Sequence, residues 1–166
     1  MKPMFAALLV LVAAGGGGAA WYANRDPGTA ATAPARQGTM PVTIATAGGR
    51  HVFTVERATS AGEQAQGLMF RTDLTADGGM LFWPYPADGS GPREASFWMK
   101  NTPTSLDILF IRADGTIARI ADSTTPMSET PVTSGEPVAA VLELVAGRAA
   151  DLGISEGDKV SWPGRR

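Results

Sequence analysis

The sequence predicts a mostly-β domain of the α+β kind, a small β-barrel or curved antiparallel sheet with two short helices, and three observations carry that expectation. From Met40 onward, short apolar runs are punctuated by glycine, proline and Asp-Gly, the spacing of several short strands. Two pairs of runs are joined by tight-turn residues, Gly48-Gly49 and Ala113-Asp114-Gly115, which supply the positive φ angles a hairpin needs. Apolar residues make up 44% of the 166-residue chain and charged residues 18%, a globular balance with enough length for one core and not for two.

Taken in order, Pro41 to Ala47 and Arg50 to Arg57 flank the Gly-Gly link as the first hairpin. Ser60 with Glu63 three residues later is a capping box that opens a helix over Ala61 to Gln66, and Gly67 ends it. Met80 to Trp83 and Ala95 to Lys100 are the next strands. Leu106 to Arg112 and Thr116 to Asp122 form a second hairpin about the Asp-Gly turn. Val138 to Val145 is a strand that leads into a second helix over Ala146 to Leu152, which stops at Gly153. Lys159 to Trp162 is the last strand, and the two helices plug or flank the sheet.

Ahead of this domain, Lys2 and the apolar run Met4 to Ala14 read as the charged and hydrophobic regions of an export signal. Gly15 to Gly18 break the run, and Gly18 and Ala20 are small enough for cleavage after Ala20. The competing reading keeps residues 1–23 as a membrane anchor, with Trp21 and Tyr22 at the interface. Both readings bring this segment to the membrane and place the rest outside the cytoplasm, in the periplasm or anchored facing it. Residues 24–39, rich in Ala, Pro, Thr and Gly, form a flexible linker to the domain at 40–166.

Several function classes are excluded. The formal charge is -2, without a basic cluster to follow a phosphate backbone, so nucleic acid is not an expected partner. No cysteine is present, which removes disulfides, thiolate metal sites, a cysteine nucleophile and lipoprotein acylation. No zinc, nucleotide or hydrolase motif occurs, and no cofactor is implied.

Four segments mix bulky apolar and polar groups: Gly67-Leu68-Met69-Phe70-Arg71, Gly79-Met80-Leu81-Phe82, Phe97-Trp98-Met99-Lys100-Asn101-Thr102 and Leu106-Asp107-Ile108-Leu109-Phe110-Ile111. With Pro137-Val138 to Leu144 and the Gly157-Asp158-Lys159-Val160 turn, their order resembles the domain of unknown function 192 family over roughly Val42 to Trp162. The resemblance implies a small mostly-β fold and frequent export, and no activity, cofactor or catalytic residue. One departure is Ser105, where the family usually has proline directly before the Leu-Asp pair; here Pro103 stands two residues earlier.

Function is therefore read from residues. Asp107 lies on the face of Leu109 and Ile111 and needs a partner, for which Lys100, Arg71 and the Asn101 amide are the neighbouring complements. It belongs either to an internal ion pair or to a ligand-facing cluster. Ser96, Trp98 and Lys100 share one strand face, with Phe97 and Met99 toward the core. Trp98 is then a cover for the barrel mouth or a platform for a small polar or anionic ligand, such as a carboxylate or a sugar. These residues define the expected site: Arg71, Trp98, Lys100, Asn101 and Asp107, serving a non-enzymatic small-ligand binding or accessory domain of the envelope, its protein partners unspecified. An alternative is an enzyme acting on an envelope glycan or peptide, with Asp107 as general base and Lys100 or Arg71 stabilising an anion. A third reading is copper handling by Met69, Met80, Met99 and Met127 with His51, against which methionine is an ordinary filler of small cores.

Overall fold

The computed structural model describes residues 38–165; the expected signal or anchor and almost all of the linker lie outside them. In chain order the elements are β1 (Met40–Thr46), β2 (Gly49–Ala58), α1 (Ala61–Gln66), β3 (Gly79–Phe82), β4 (Arg93–Phe97), β5 (Leu106–Ile111), β6 (Ile117–Ala121), β7 (Val132–Val138), β8 (Ala140–Val145), α2 (Arg148–Asp151) and β9 (Lys159–Ser161). The mostly-β expectation holds.

Seven strands form one sheet in the order β6-β5-β8-β3-β2-β1-β9, and β4 pairs with β7 in a separate ribbon. The sheet nearly closes on itself: the Ile117 amide donates to the Asp158 carbonyl at 2.9 Å, and the Val160 amide to the Gly115 carbonyl at 2.9 Å. Closure removes sheet edges that would otherwise stay unpaired. Both expected hairpins are present, with Thr46 opposite Gly49 in the first and Ile111 opposite Ile117 in the second. Among the described residues only β2 and β3 run parallel, with Glu56 opposite Met80, and the connection a parallel pair requires contains α1.

Alternation along the central strands separates two apolar layers. Leu81, Leu109, Ile111, Leu142 and Leu144 point into the barrel, where they meet Phe53 and the α2 residue Ala149. Met80, Phe82, Ile108, Phe110 and Val141 point out of it and pack under Leu68, Ala95 and Met99. Strand β5 is buried at every position because both of its faces are covered. Gly79 on β3 faces β8 so closely that a Cβ there would collide with the Glu143 carbonyl.

The structure departs from the sequence expectation in two places. Strand β7 was not anticipated, because Gly135 (φ 73°) and Pro137 interrupt its apolar pattern; both are tolerated in a two-stranded ribbon. The expected strand Val138 to Val145 is consequently two strands, parted at Ala139. Strand β4 ends at Phe97, so Trp98 to Asn101 lie beyond it, although Met99 is buried and Phe97 packs on the outer layer as alternation required.

Candidate functional site

Asp107 is fully buried, but among the described residues no cation meets it. Its Oδ1 accepts from the Ser123 amide at 2.9 Å and the Gly147 amide at 3.1 Å, and its Oδ2 accepts from the Ala149 amide at 2.9 Å. The residue faces into the barrel end, where it joins the segment after β6 to the start of α2. The expected ion pair with Lys100 or Arg71 is therefore corrected: backbone donors do that work, and charge-assisted bonds of this kind are stronger than neutral ones.

The other expected site residues are engaged separately. Arg71 Nη1 donates to both Glu56 oxygens, at 2.9 and 3.1 Å, and its Nε to Asp73 at 2.7 Å, which ties the segment after α1 to β2. Lys100 Nζ sits 5.1 Å from the Trp98 ring centroid and 3.6 Å from Glu129. Asn101 adopts φ 54°, its carbonyl accepts from the Phe70 amide at 2.7 Å, and its Nδ2 lies 4.0 Å from the Met69 sulfur. The five residues do not converge on one site.

Of the five, Trp98 lines a cavity of about 410 Å³. The cavity opens between α1, the turn after it, the residues following β3, and β4. Its apolar wall is formed by Leu68, Met69, Phe82, Tyr85, Phe97 and Trp98. The rings interlock, Phe82 and Phe97 edge to face at 5.0 Å between centroids and Tyr85 and Phe97 at 5.7 Å. Polar groups also reach it, among them Gln64, Ser96, Thr102, Asp88 and Arg93.

The residue that gives this cavity its chemical character is Glu143, at the centre of β8. It is 4% exposed, lies between Met80 on β3 and Ile108 on β5, and lines the cavity. Its Oε2 has no hydrogen-bond partner among the described residues. Burial in this apolar layer disfavours the carboxylate and pushes its pKa from 4.5 up to about 8. Near neutral pH the group is thus largely a neutral acid. Gly67 makes room beside it: a Cβ there would stand 3.2 Å from the Phe82 ring and 4.0 Å from Glu143 Oε2, and the backbone at φ 48° disfavours any side chain.

The sequence reading missed Glu143, although a signal was present: one acid in the run Ala140-Val141-Leu142-Glu143-Leu144-Val145. In a half-exposed strand, alternation would turn that acid to water. Here β4 and α1 cover that face. Asp88, also at the cavity, is a different case, its carboxyl held below the usual range mainly by the Ser90 amide.

The methionines of the copper reading are dispersed in role. Met80 and Met99 belong to the outer apolar layer, with Thr124 Oγ1 donating to the Met99 sulfur at 3.2 Å. Met69 lines the cavity, and Met127 is exposed. His51 Nε2 lies 3.5 Å from Thr46 Oγ1 in the first hairpin. Among the described residues no three His, Cys, Asp or Glu side chains cluster, and no helix is long and apolar enough to cross a membrane.

A nearly closed barrel with a covered outer face and a ligand-sized cavity in that cover defines a class of small β-barrel domains. Residues 42–162 match the model of the domain of unknown function 192 family, described as an uncharacterized ACR, and the chain belongs to that family. Proteins of known structure are similar to it. One, from Sinorhizobium meliloti 1021, is proposed as a transcription regulator; it is 41% identical with a TM-score of 0.73, over 80% of this chain and 99% of that one. Another, a protein of unknown function from Novosphingobium aromaticivorans DSM 12444, is 45% identical with a TM-score of 0.71, over 80% of this chain and 94% of that one. No curated protein matches the chain.

Proposed function

We propose that this protein is an exported, non-enzymatic binding domain of the cell envelope that holds a small ligand in the cavity between α1 and β4. The observation that carries this reading is the cavity of about 410 Å³ with buried Glu143 in its wall, whose Oε2 has no hydrogen-bond partner among the described residues. Ligand sites are typically concave and apolar with a few placed polar groups, and a titratable group perturbed by desolvation inside such a cleft is a functional-site marker. A buried polar atom without a partner costs about 1–3 kcal/mol, a loss that a ligand's donor would relieve. Of the two roles open to Trp98, cover or platform, this reading takes the platform, since Trp98 lines the cavity.

A binding role is favoured over catalysis by the surroundings of the two buried acids. Asp107, the base of the enzymatic alternative, spends both oxygens on backbone amides inside the barrel end. Regulation of transcription, suggested for the Sinorhizobium relative, is not extended here: the formal charge of -2 and the lack of a basic cluster give little electrostatic footing for DNA. Export rests on Lys2 and the Met4 to Ala14 run.

A thermal-shift screen of the full-length chain against envelope metabolites tests the reading, since selective binding to the folded state raises its apparent stability. Stabilising compounds should lose their effect in Trp98→Ala. A screen without stabilising compounds, or one whose hits are indifferent to Trp98 and Glu143, overturns it. A fusion of residues 1–39 to a reporter active only outside the cytoplasm should give signal; a silent, intact fusion in the cytosol removes the export claim.

A further inference from the structure

The chemistry of the cavity wall narrows the ligand class, and the argument rests on the binding reading just given. Glu143 Oε2 lacks a donor. A ligand that takes the neutral acid would have to offer it an acceptor, whereas one that brings a cation holds the ionised carboxylate and supplies the donor that Oε2 lacks. The wall around the acid is aromatic, with Phe82, Tyr85, Phe97 and Trp98, and ring faces attract cations. Trp98 already does so with Lys100, whose ammonium stands 5.1 Å from its centroid.

The basic groups that would suit an anion are occupied elsewhere. Arg71 is committed to Glu56 and Asp73, and Lys100 reaches Glu129 outside the cavity wall. Arg93 lines the cavity together with Asp88, whose carboxyl is held down first by the Ser90 amide and to a lesser degree by the Arg93 charge. On the strand that floors the cavity, the ionisable group is Glu143.

We propose that the ligand of this cavity carries an alkylammonium group, which pairs with the Glu143 carboxylate while its apolar stem lies against Leu68, Phe82 and Phe97. The hydroxyl of Thr102, which donates to the Lys100 carbonyl at 3.2 Å, keeps acceptor capacity at the cavity wall for a second ammonium hydrogen. On binding, Glu143 releases its proton to solvent and the ammonium keeps its own, so no bond between heavy atoms forms or breaks.

Capture is consequently linked to pH. The groups packed about Glu143 leave few competing titrations. Strands β3 and β5 present Met80, Phe82 and Ile108 to its face, and α1 presents Gln64 to the cavity. The charged α1 residue, Glu63, is held in the capping box at Ser60. Tyr85, Asp88 and Arg93 complete the titratable lining, and the Glu56–Arg71 pair lies beyond Met80 in the same cross-strand row. With Glu143 shifted to about 8, the ionised fraction grows through the neutral range, whereas an alkylammonium with a pKa of about 10.4, as in lysine, stays charged.

Calorimetric titration of the full-length chain with hexylammonium, hexanol and hexanoate, in two buffers of different ionisation enthalpy, tests this. Hexylammonium should bind about tenfold tighter per pH unit from about pH 6 to about pH 8 and level off by about pH 9. Close to one proton should be released per ligand at about pH 7, a readout that needs no variant. Glu143→Gln should abolish that release and weaken hexylammonium at least about tenfold. Absence of hexylammonium binding, binding without proton release, or a preference for hexanol or hexanoate overturns the ammonium assignment. If the metabolite screen nevertheless gives Trp98-dependent hits, the binding reading survives and only the ligand class is wrong; if it gives none, both fail.

Discussion

Asp107 and Glu143 are buried acids on neighbouring strands, one register step apart: Asp107 stands opposite Leu144, and Glu143 opposite Ile108. The first faces into the barrel and the second out of it. Three backbone amides from two segments hold Asp107, while Glu143 Oε2 meets no donor among the described residues. Burial is the same and the hydrogen-bond supply is opposite. The comparison teaches that a buried acid is structural or available according to its donors. A fully served carboxylate is a joint in the framework, whereas an unserved one raises the energy of the empty site.

The comparison breaks most visibly at Asp107. Asp107→Ala removes the acceptor of three amides, of which the Ala149 bond is buried and the Ser123 and Gly147 bonds part-buried, so a loss of at least about 2 kcal/mol is expected in denaturant melts. A loss below about 1 kcal/mol would show that water replaces the carboxylate there.

Glu143 should respond in the opposite direction. Glu143→Leu removes the unserved group and should stabilise the fold by about 1–2 kcal/mol at about pH 7. The pH dependence sharpens this. A carboxyl whose folded pKa is raised from 4.5 to about 8 contributes stability fully present below the unfolded value and lost as pH rises through the folded one. Between those limits wild type should lose up to about 1.4 kcal/mol per pH unit relative to Glu143→Gln. Parallel stability curves for the two proteins would show that Glu143 is ionised throughout.

Smaller effects delimit the region. Ser60→Ala should cost about 1 kcal/mol, because Ser60 and Glu63 form a reciprocal cap on α1, the helix that walls the cavity. The Ser60 and Thr59 amides lower the Glu63 pKa to about 2, so any contribution it makes is present above 4.5 and is lost as pH falls from there through about 2. Lys100→Met should change stability by less than about 0.5 kcal/mol, and a double-mutant cycle with Asp107→Asn should give a coupling near zero. A substantial coupling would restore the ion pair that the amide contacts replace.

These contrasts follow what local sequence can and cannot carry. The Gly48-Gly49 link and the Ser60–Glu63 cap were legible because a few consecutive residues determine them. The burial of Asp107 was legible from its apolar neighbours. Its partners were not, since amides carry no side-chain signature and the Gly147 donor lies 40 residues away. Strand β7 was hidden by Gly135 and Pro137, residues that a pattern reads as breaks and an isolated ribbon accommodates. Glu143 escaped for a different reason: alternation assigns it a face but not what covers that face, and the cover comes from α1, β4 and the turns beside them.

The clasp between the two ends of the barrel sets when the fold can exist. Strand β9 pairs with β1, Ser161 against Thr43, residues 118 positions apart, and its amides and those beside it also bridge to the β5–β6 hairpin. Contacts so distant along the chain form late and make folding slow. During synthesis the ring stays open until β9 has emerged. For a chain exported as proposed, a ring left open until then would be compatible with threading across the membrane.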